Sequence, residues 1–182
     1  RTVSLAGLIP SATEYGRAVA ASAAYSPQLP AISTGHATTS AAVALTVERI
    51  LQESGRTMAQ ECLGVLGLGS IGLASLRLLL KVLPHPDAIL LCDLYSKRAA
   101  LDDIRREILT DFGFTGNVYV LEARQQLPPE FYTATLILGA TNTADVLDIA
   151  RVQPGTRIVD DSSPHCFASA QAIQRWQQHG DI

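Results

Sequence analysis

The 182-residue chain has only three cysteines, Cys62, Cys92 and Cys166, with no CxxC pair among them. An odd, widely spread set argues against a disulfide framework or a zinc site, and a reducing cytoplasmic setting is the expectation. Long apolar runs are missing too. Apolar patches such as residues 78–83, which Lys81 interrupts, and 89–92 fall far short of the roughly 20 residues a membrane-spanning helix needs, so no transmembrane segment is expected. No signal peptide is visible. Positive charge is not in excess: the formal net charge is −3, which leaves neither a nucleic-acid footprint nor a surface drawn to anionic membranes. Lysine occurs only at Lys81 and Lys97. Paired acid–base carboxylates and metal-ligand clusters are not evident, and there is no internal repeat or low-complexity tract. Asp102 and Asp103 fall in the first turns of an expected helix, where they complement its dipole.

What is present is an ordinary globular composition, 47% hydrophobic and 17% charged, able to bury a sizeable core. Residues 2–8 read as a strand and 11–24 as a short helix before a proline-rich loop. Val43, Val47, Ile50 and Leu51 recur at helical spacing, with capping hydroxyls offered over 38–40 and Gly55 as a left-handed stop. Strands and helices then alternate. Strands are expected at 62–66, 88–92, 117–121, 135–139 and 156–160. Helices are expected at 70–82, 97–112, 143–150 and 168–178. The strands are continuously apolar, as burial on both faces demands. The expectation is an α/β fold, a doubly wound parallel sheet of the Rossmann type.

The sharpest feature is Gly67-Leu68-Gly69-Ser70-Ile71-Gly72, a GxGxxG between an expected strand and an expected helix. Alone the motif is weak; this context makes it informative. Gly67 permits the tight turn, Gly69 lets the backbone approach a pyrophosphate, and Gly72 lets the helix pack close to the strand. The free N–H groups at the helix start face the phosphate charge. Asp93 ends the second strand, 21 residues after Gly72, where an acidic residue would take ribose hydroxyls. Together these point to NAD(H), because a carboxylate repels a 2′-phosphate. The following Leu94, Tyr95, Ser96, Lys97 and Arg98 keep NADP(H) open, since Ser96, Lys97 and Arg98 could meet a phosphate if Asp93 turned away.

Ligands of such sheets lie beyond the carboxyl ends of the strands. Ala140, Thr141 and Asn142 follow the fourth strand and should pass near the nicotinamide half. Asp160, Asp161, Ser162 and Ser163 follow the fifth and could meet substrate. His165 and Cys166 are adjacent, so their side chains need not meet; Cys166, just ahead of a helix, is a candidate nucleophile. His36 is a candidate proton donor, with helix capping as the structural alternative.

The segments "AISTGHATTSAAVALTVERILQ", "GVLGLGSIG", "ILLCDLYSKR" and "TRIVDDSSPHCF" resemble those of the cyanobacterial long-chain acyl-(acyl-carrier-protein) reductase family. Glutamyl-tRNA reductases and shikimate dehydrogenases have related cofactor domains. In the acyl reductases a "TGxTxT"-like segment, a long helix, a glycine turn and an "IDGGYPKN"-like loop occur in this order; residues 34–38 and 158–165 correspond here. The resemblance is distant but runs nearly the whole chain. It implies an NAD(P)-dependent oxidoreductase that reduces an acyl thioester or related carbonyl, with a small-molecule or carrier-bound acyl substrate and homo-oligomeric assembly. Two departures stand out: Asp93 where that family tends to be basic, and Asp161 and Ser162 where it has a glycine pair. The family's catalytic cysteine lies beyond the end of this chain. Residues 1–38 are expected to be the remnant of a substrate or catalytic domain, and 39–182 an NAD(P)-binding domain truncated at its carboxyl end. The alternatives are a module that senses NAD(H) without turnover, or a shikimate- or amino-acid-type dehydrogenase; the latter would need a lysine and aspartate pair in the substrate cleft.

Overall fold

A computed structural model describes residues 2–5, 9, 13, 16–23, 31–94, 98–123 and 126–182. The chain forms two compact units, Arg1–Thr39 and Ser40–Ile182.

In the first unit β1 (Thr2–Ser4) pairs in parallel with β2 (Ala31–Ser33), and α1 spans Arg17–Ala23. The strand expected over 2–8 is thus described only over its first residues, with 6–8 outside the described set. β2 was not expected. At three residues it is too short for any periodicity to register. Helix α2 (His36–Glu53) starts earlier than the hydroxyls at 38–40 suggest. Gly35, at φ +74°, turns the chain, and its carbonyl accepts the first helical bond from Thr39 N. Gly55, at φ +66°, ends the helix as expected.

The second unit is built on β3 (Cys62–Leu66), β4 (Ala88–Asp93), β5 (Asn117–Glu122), β6 (Leu136–Gly139) and β7 (Arg157–Asp160). All five are parallel, in the order β5-β4-β3-β6-β7. The chain winds outward from β3 in one direction, returns, and winds outward through β6 and β7 in the other. The reversal puts a topological switch point between β3 and β6, so the α/β doubly wound fold is as the alternation implied.

Helices α3 (Ser70–Val82) and α4 (Arg98–Thr110) return β3 to β4 and β4 to β5. With α2 they cover one sheet face, where Val47, Leu51, Leu63, Val65, Leu76, Leu79, Ile89, Leu91 and Leu101 form one core. Residues 76, 79 and 80 recur at i, i+3 and i+4, which is why α3 buries one stripe. Each fully buried leucine contributes about 1.5–3 kcal/mol of transfer free energy.

The opposite face is closed differently. The expected helix at 143–150 does not form; turns and a 3-10 segment at Ile149–Arg151 take its place. Short polar side chains compete with helical bonding there. Thr141 Oγ1 accepts from Thr143 N at 3.2 Å, Asp148 Oδ1 accepts from Ala150 N at 3.0 Å, and Asp145 sits at φ +54°. A second 3-10 segment, Pro129–Thr133, brings Phe131 and Tyr132 onto Leu66, Leu90 and Ile137. Helix α5 (Ser169–His179) follows β7 and ends at Gly180, φ +61°.

At the amino end of the sheet Glu61 is fully buried and takes a two-pronged bond from Arg56, Nε to Oε1 at 2.8 Å. Thr135 Oγ1 donates to the same carboxylate at 2.6 Å, and Arg56 also reaches Gly155 O at 2.7 Å. This network ties the entries of β3, β6 and β7 together.

Candidate dinucleotide site

The glycine turn leaves β3 at the switch point. Gly67 has φ +90°, and a Cβ there would lie 2.5 Å from Ala140 O. A Cβ on Gly72 would lie 2.0 Å from Gly67 O. Neither position admits another residue without moving backbone, so the turn and the start of α3 are pressed against each other and against the β6 loop. Gly69 is different. It is exposed, and a Cβ on it would meet nothing within 4 Å. The space above Gly69 is therefore open, as a pyrophosphate cradle must be.

Helix α3 has no side-chain cap at Gly69, and its first helical bond is Leu73 N to Gly69 O. The amides of Ser70, Ile71 and Gly72 precede that bond, at the positive end of the helix dipole. Asp93, at the end of β4, turns toward the motif: its Oδ2 accepts from Leu68 N at 2.6 Å. Leu68 itself is buried, and Leu94 lies half-buried beside Asp93. Uncapped amides, open space and a carboxylate on the β4 side fit a dinucleotide with its adenosine ribose at Asp93. Lys97 and Ser96 lie outside the described residues.

The other strand ends close around the same point. Gly67 N bonds Cys92 O and Ala140 N bonds Leu66 O. Thr141 N donates to Ser162 Oγ at 3.0 Å, which joins the β6 loop to the β7 loop. Ala140 and Thr141 are half-buried and Asn142 is exposed. The structure thus brings Gly67–Gly72, Asp93 and residues 140–142 together at one end of the sheet. His36 lies in the first turn of α2, within the other unit.

The β7 loop holds a group that the sequence did not reveal. Asp160, whose side chain is 6% exposed, accepts His165 Nδ1 at 2.9 Å, Cys166 N at 3.2 Å and Ser162 N at 3.1 Å. Burial pushes its carboxyl up, but the bonds from Ser162, His165 and Cys166 outweigh that, and it is held below the usual carboxylate value. Asp161 goes the other way, raised by burial and by Asp160. Gly139, at the end of β6, makes room for this arrangement: a Cβ there would lie 2.5 Å from Asp160 Oδ1. The His165 ring stacks on Phe167 at 5.9 Å and is 64% exposed. A D-x4-H spacing is not a motif, and only the folded loop brings the two side chains together.

Cys166 is fully buried, and burial followed by Asp160 pushes its thiol far up. A thiol held protonated in the interior is a poor nucleophile, which weighs against the catalytic role considered for it. Cys92 is likewise buried and pushed up to about 12, by burial and then Asp93. Beside the β7 loop, Asp145 N bonds His165 O, and a cleft of about 730 Å³ opens among Gln126, Thr143, Asp145, Asp148 and Arg151. Among the described residues no cluster of His, Cys, Asp and Glu could hold a metal ion, and no helix is long and apolar enough to cross a membrane.

No protein-family model matches the chain, nor does any curated protein sequence. Solved structures do. Dipicolinate synthase A chain from Bacillus subtilis superposes with a TM-score of 0.59 at 15% identity, over 95% of this chain and 53% of that one. L-tryptophan dehydrogenase from Nostoc punctiforme gives 0.58 at 16% identity, over 83% of this chain and 41% of that one. Thermococcus litoralis Δ1-pyrroline-2-carboxylate reductase, in complex with NADH and L-proline, gives 0.55 at 15% identity, over 75% and 41%. The chain spans about half the length of these proteins or less. At such identities the likeness establishes the fold, a Rossmann-type doubly wound sheet.

Proposed function

We propose that the Ser40–Ile182 unit binds a nicotinamide adenine dinucleotide and serves an oxidoreductase acting on a small carbonyl-level substrate. The observation that carries this reading is the open, uncapped turn at Gly69 with Asp93 bonded to Leu68 N at the switch point. Gly67, Leu68, Gly69, Ser70, Ile71 and Gly72 cradle the pyrophosphate. Asp93 and Leu94 border the adenosine ribose, and Ala140, Thr141 and Asn142 border the nicotinamide half. A carboxylate already engaged with the turn favours NAD(H) over NADP(H), because a 2′-phosphate beside it would repel. The likeness to a reductase solved with NADH and to a tryptophan dehydrogenase supports the same class.

When bound, the cofactor supplies the hydride; the protein orients it and shields it from water. Residues 1–38 read as part of a substrate-binding domain. A reductase that passes an acyl group through a thioester needs a nucleophilic thiol, and the interior Cys166 does not supply one. Direct hydride transfer to a carbonyl or imine needs no such thiol.

The test is turnover. Protein saturated with NADH is mixed with a panel of 2-oxo acids, aldehydes, a cyclic imine and an acyl-coenzyme A, and loss of the dihydronicotinamide absorbance is followed. Oxidation with any one supports the oxidoreductase. Tight binding with no turnover across the panel would favour a module that senses the cofactor.

A further inference from the structure

We infer that His165, held by Asp160, is the side chain that carries the proton beside the nicotinamide ring, which assigns the substrate to carbonyl compounds and their alcohols. This rests on the dinucleotide reading above and deepens it. The topology gives the position. Asp93 lies on the β4 side of the switch point and anchors one end of the dinucleotide. The other half then crosses β6 toward β7, where Thr141 N meets Ser162 Oγ and Asp160 begins the loop that returns to His165.

The chemistry follows from the bonds Asp160 makes. Its carboxylate is an acceptor, so the Nδ1 it binds carries a hydrogen. Nε2 is left as the atom that gains and loses a proton, on a ring that is 64% exposed. A histidine whose tautomer is set by a buried carboxylate is the arrangement general acid–base work requires. The carboxylate itself is held by two backbone amides, Ser162 N and Cys166 N, so it is rigid before any ligand arrives.

In the reducing direction a hydride reaches the carbonyl carbon, the π electrons of the C=O bond move to oxygen, and His165 Nε2–H gives that oxygen its proton. The products are an alcohol, oxidised nicotinamide and a neutral imidazole, which regains a proton from solvent. In the oxidising direction Nε2 takes the hydroxyl proton. Asp160 is a positioning residue throughout.

The test does not depend on knowing the substrate. Diethylpyrocarbonate acylates accessible neutral imidazoles, and peptide mass spectrometry reads each histidine separately. His179, at the end of α5 near the amino end of the sheet, where Asp181 O meets Gly155 N, is the internal reference. With NAD⁺ at about 100 times its dissociation constant, modification of His165 should slow at least about tenfold while His179 is unchanged. Unchanged modification of His165 in protein shown by titration to be saturated would overturn the inference and leave the dinucleotide reading intact. Failure of the titration itself would remove both. Nitrogen NMR gives the second reading: His165 in the neutral form should carry its hydrogen on Nδ1 alone, and Asp160→Asn should abolish that single tautomer. A wild-type ring protonated on Nε2 would also overturn it.

Discussion

Replacing Gly69 by aspartate separates a site from a packing turn. The residue has φ −67° and ψ −166°, extended backbone that any side chain adopts, and the space beyond its Cβ is empty to 4 Å. Gly69→Asp should therefore fold with the wild-type melting temperature. Its carboxylate would stand within about 5 Å of a bound phosphate. One unit of repulsion at that distance, with an effective dielectric near 20, costs about 3 kcal/mol. That corresponds to a roughly hundredfold weaker dissociation constant. Gly69→Ala, which adds only a methyl group, should lose far less. The assay is NADH fluorescence titration of the three proteins beside their thermal melts. Unchanged NADH affinity in a folded Gly69→Asp would refute the placement of the pyrophosphate. A collapse of the melting temperature would show that Gly69 serves packing instead.

Three further outcomes follow from the same geometry. Gly67→Ala forces a Cβ against Ala140 O at a φ of +90°, and should cost on the order of 2–4 kcal/mol of stability in urea denaturation, the opposite pattern to Gly69→Asp. Glu61→Ala leaves Arg56 without its buried partner and should cost about 3–5 kcal/mol by the same measurement; a loss below about 1 kcal/mol would mean the pair is solvent-screened after all. Asp160 is held below its usual value of about 3.9, so the stability it contributes is complete above that pH and disappears as pH falls through its depressed folded value. The gap in urea midpoint between wild type and Asp160→Asn should be open at neutral pH and close in acid, and a gap independent of pH would contradict the bonded carboxylate.

The sheet was legible because its central strands β3, β4 and β6 are apolar up to their carboxyl ends and its helices repeat at 3.6 residues; the edge strands β5 and β7 also carry Asn117, Glu122, Arg157 and Asp160. The start and end of α3 were marked by Gly69 and by Pro84 and Pro86. The glycine turn carried its own context, strand before and helix after, so the motif and Asp93 could be placed from spacing alone. The β6 loop could not. Residues 143–150 were expected as a helix, but the Thr141 and Asp148 side chains bond neighbouring amides and Asp145 sits at φ +54°, which holds turns instead. The Asp160–His165 contact was invisible for another reason. It depends on how residues 161–164 fold back and on the missing Cβ at Gly139, neither of which periodicity encodes. Cys166 looked usable beside a helix start; only the packing of the second core shows it to be interior.

The most direct measurement is equilibrium titration of the purified protein with NADH and, separately, NADPH, followed by cofactor fluorescence. Saturable binding of NADH, with NADPH weaker by about tenfold or more through repulsion at Asp93, is the expected result. Binding of neither would contradict the dinucleotide site and leave the glycine turn as a packing device within a shared fold.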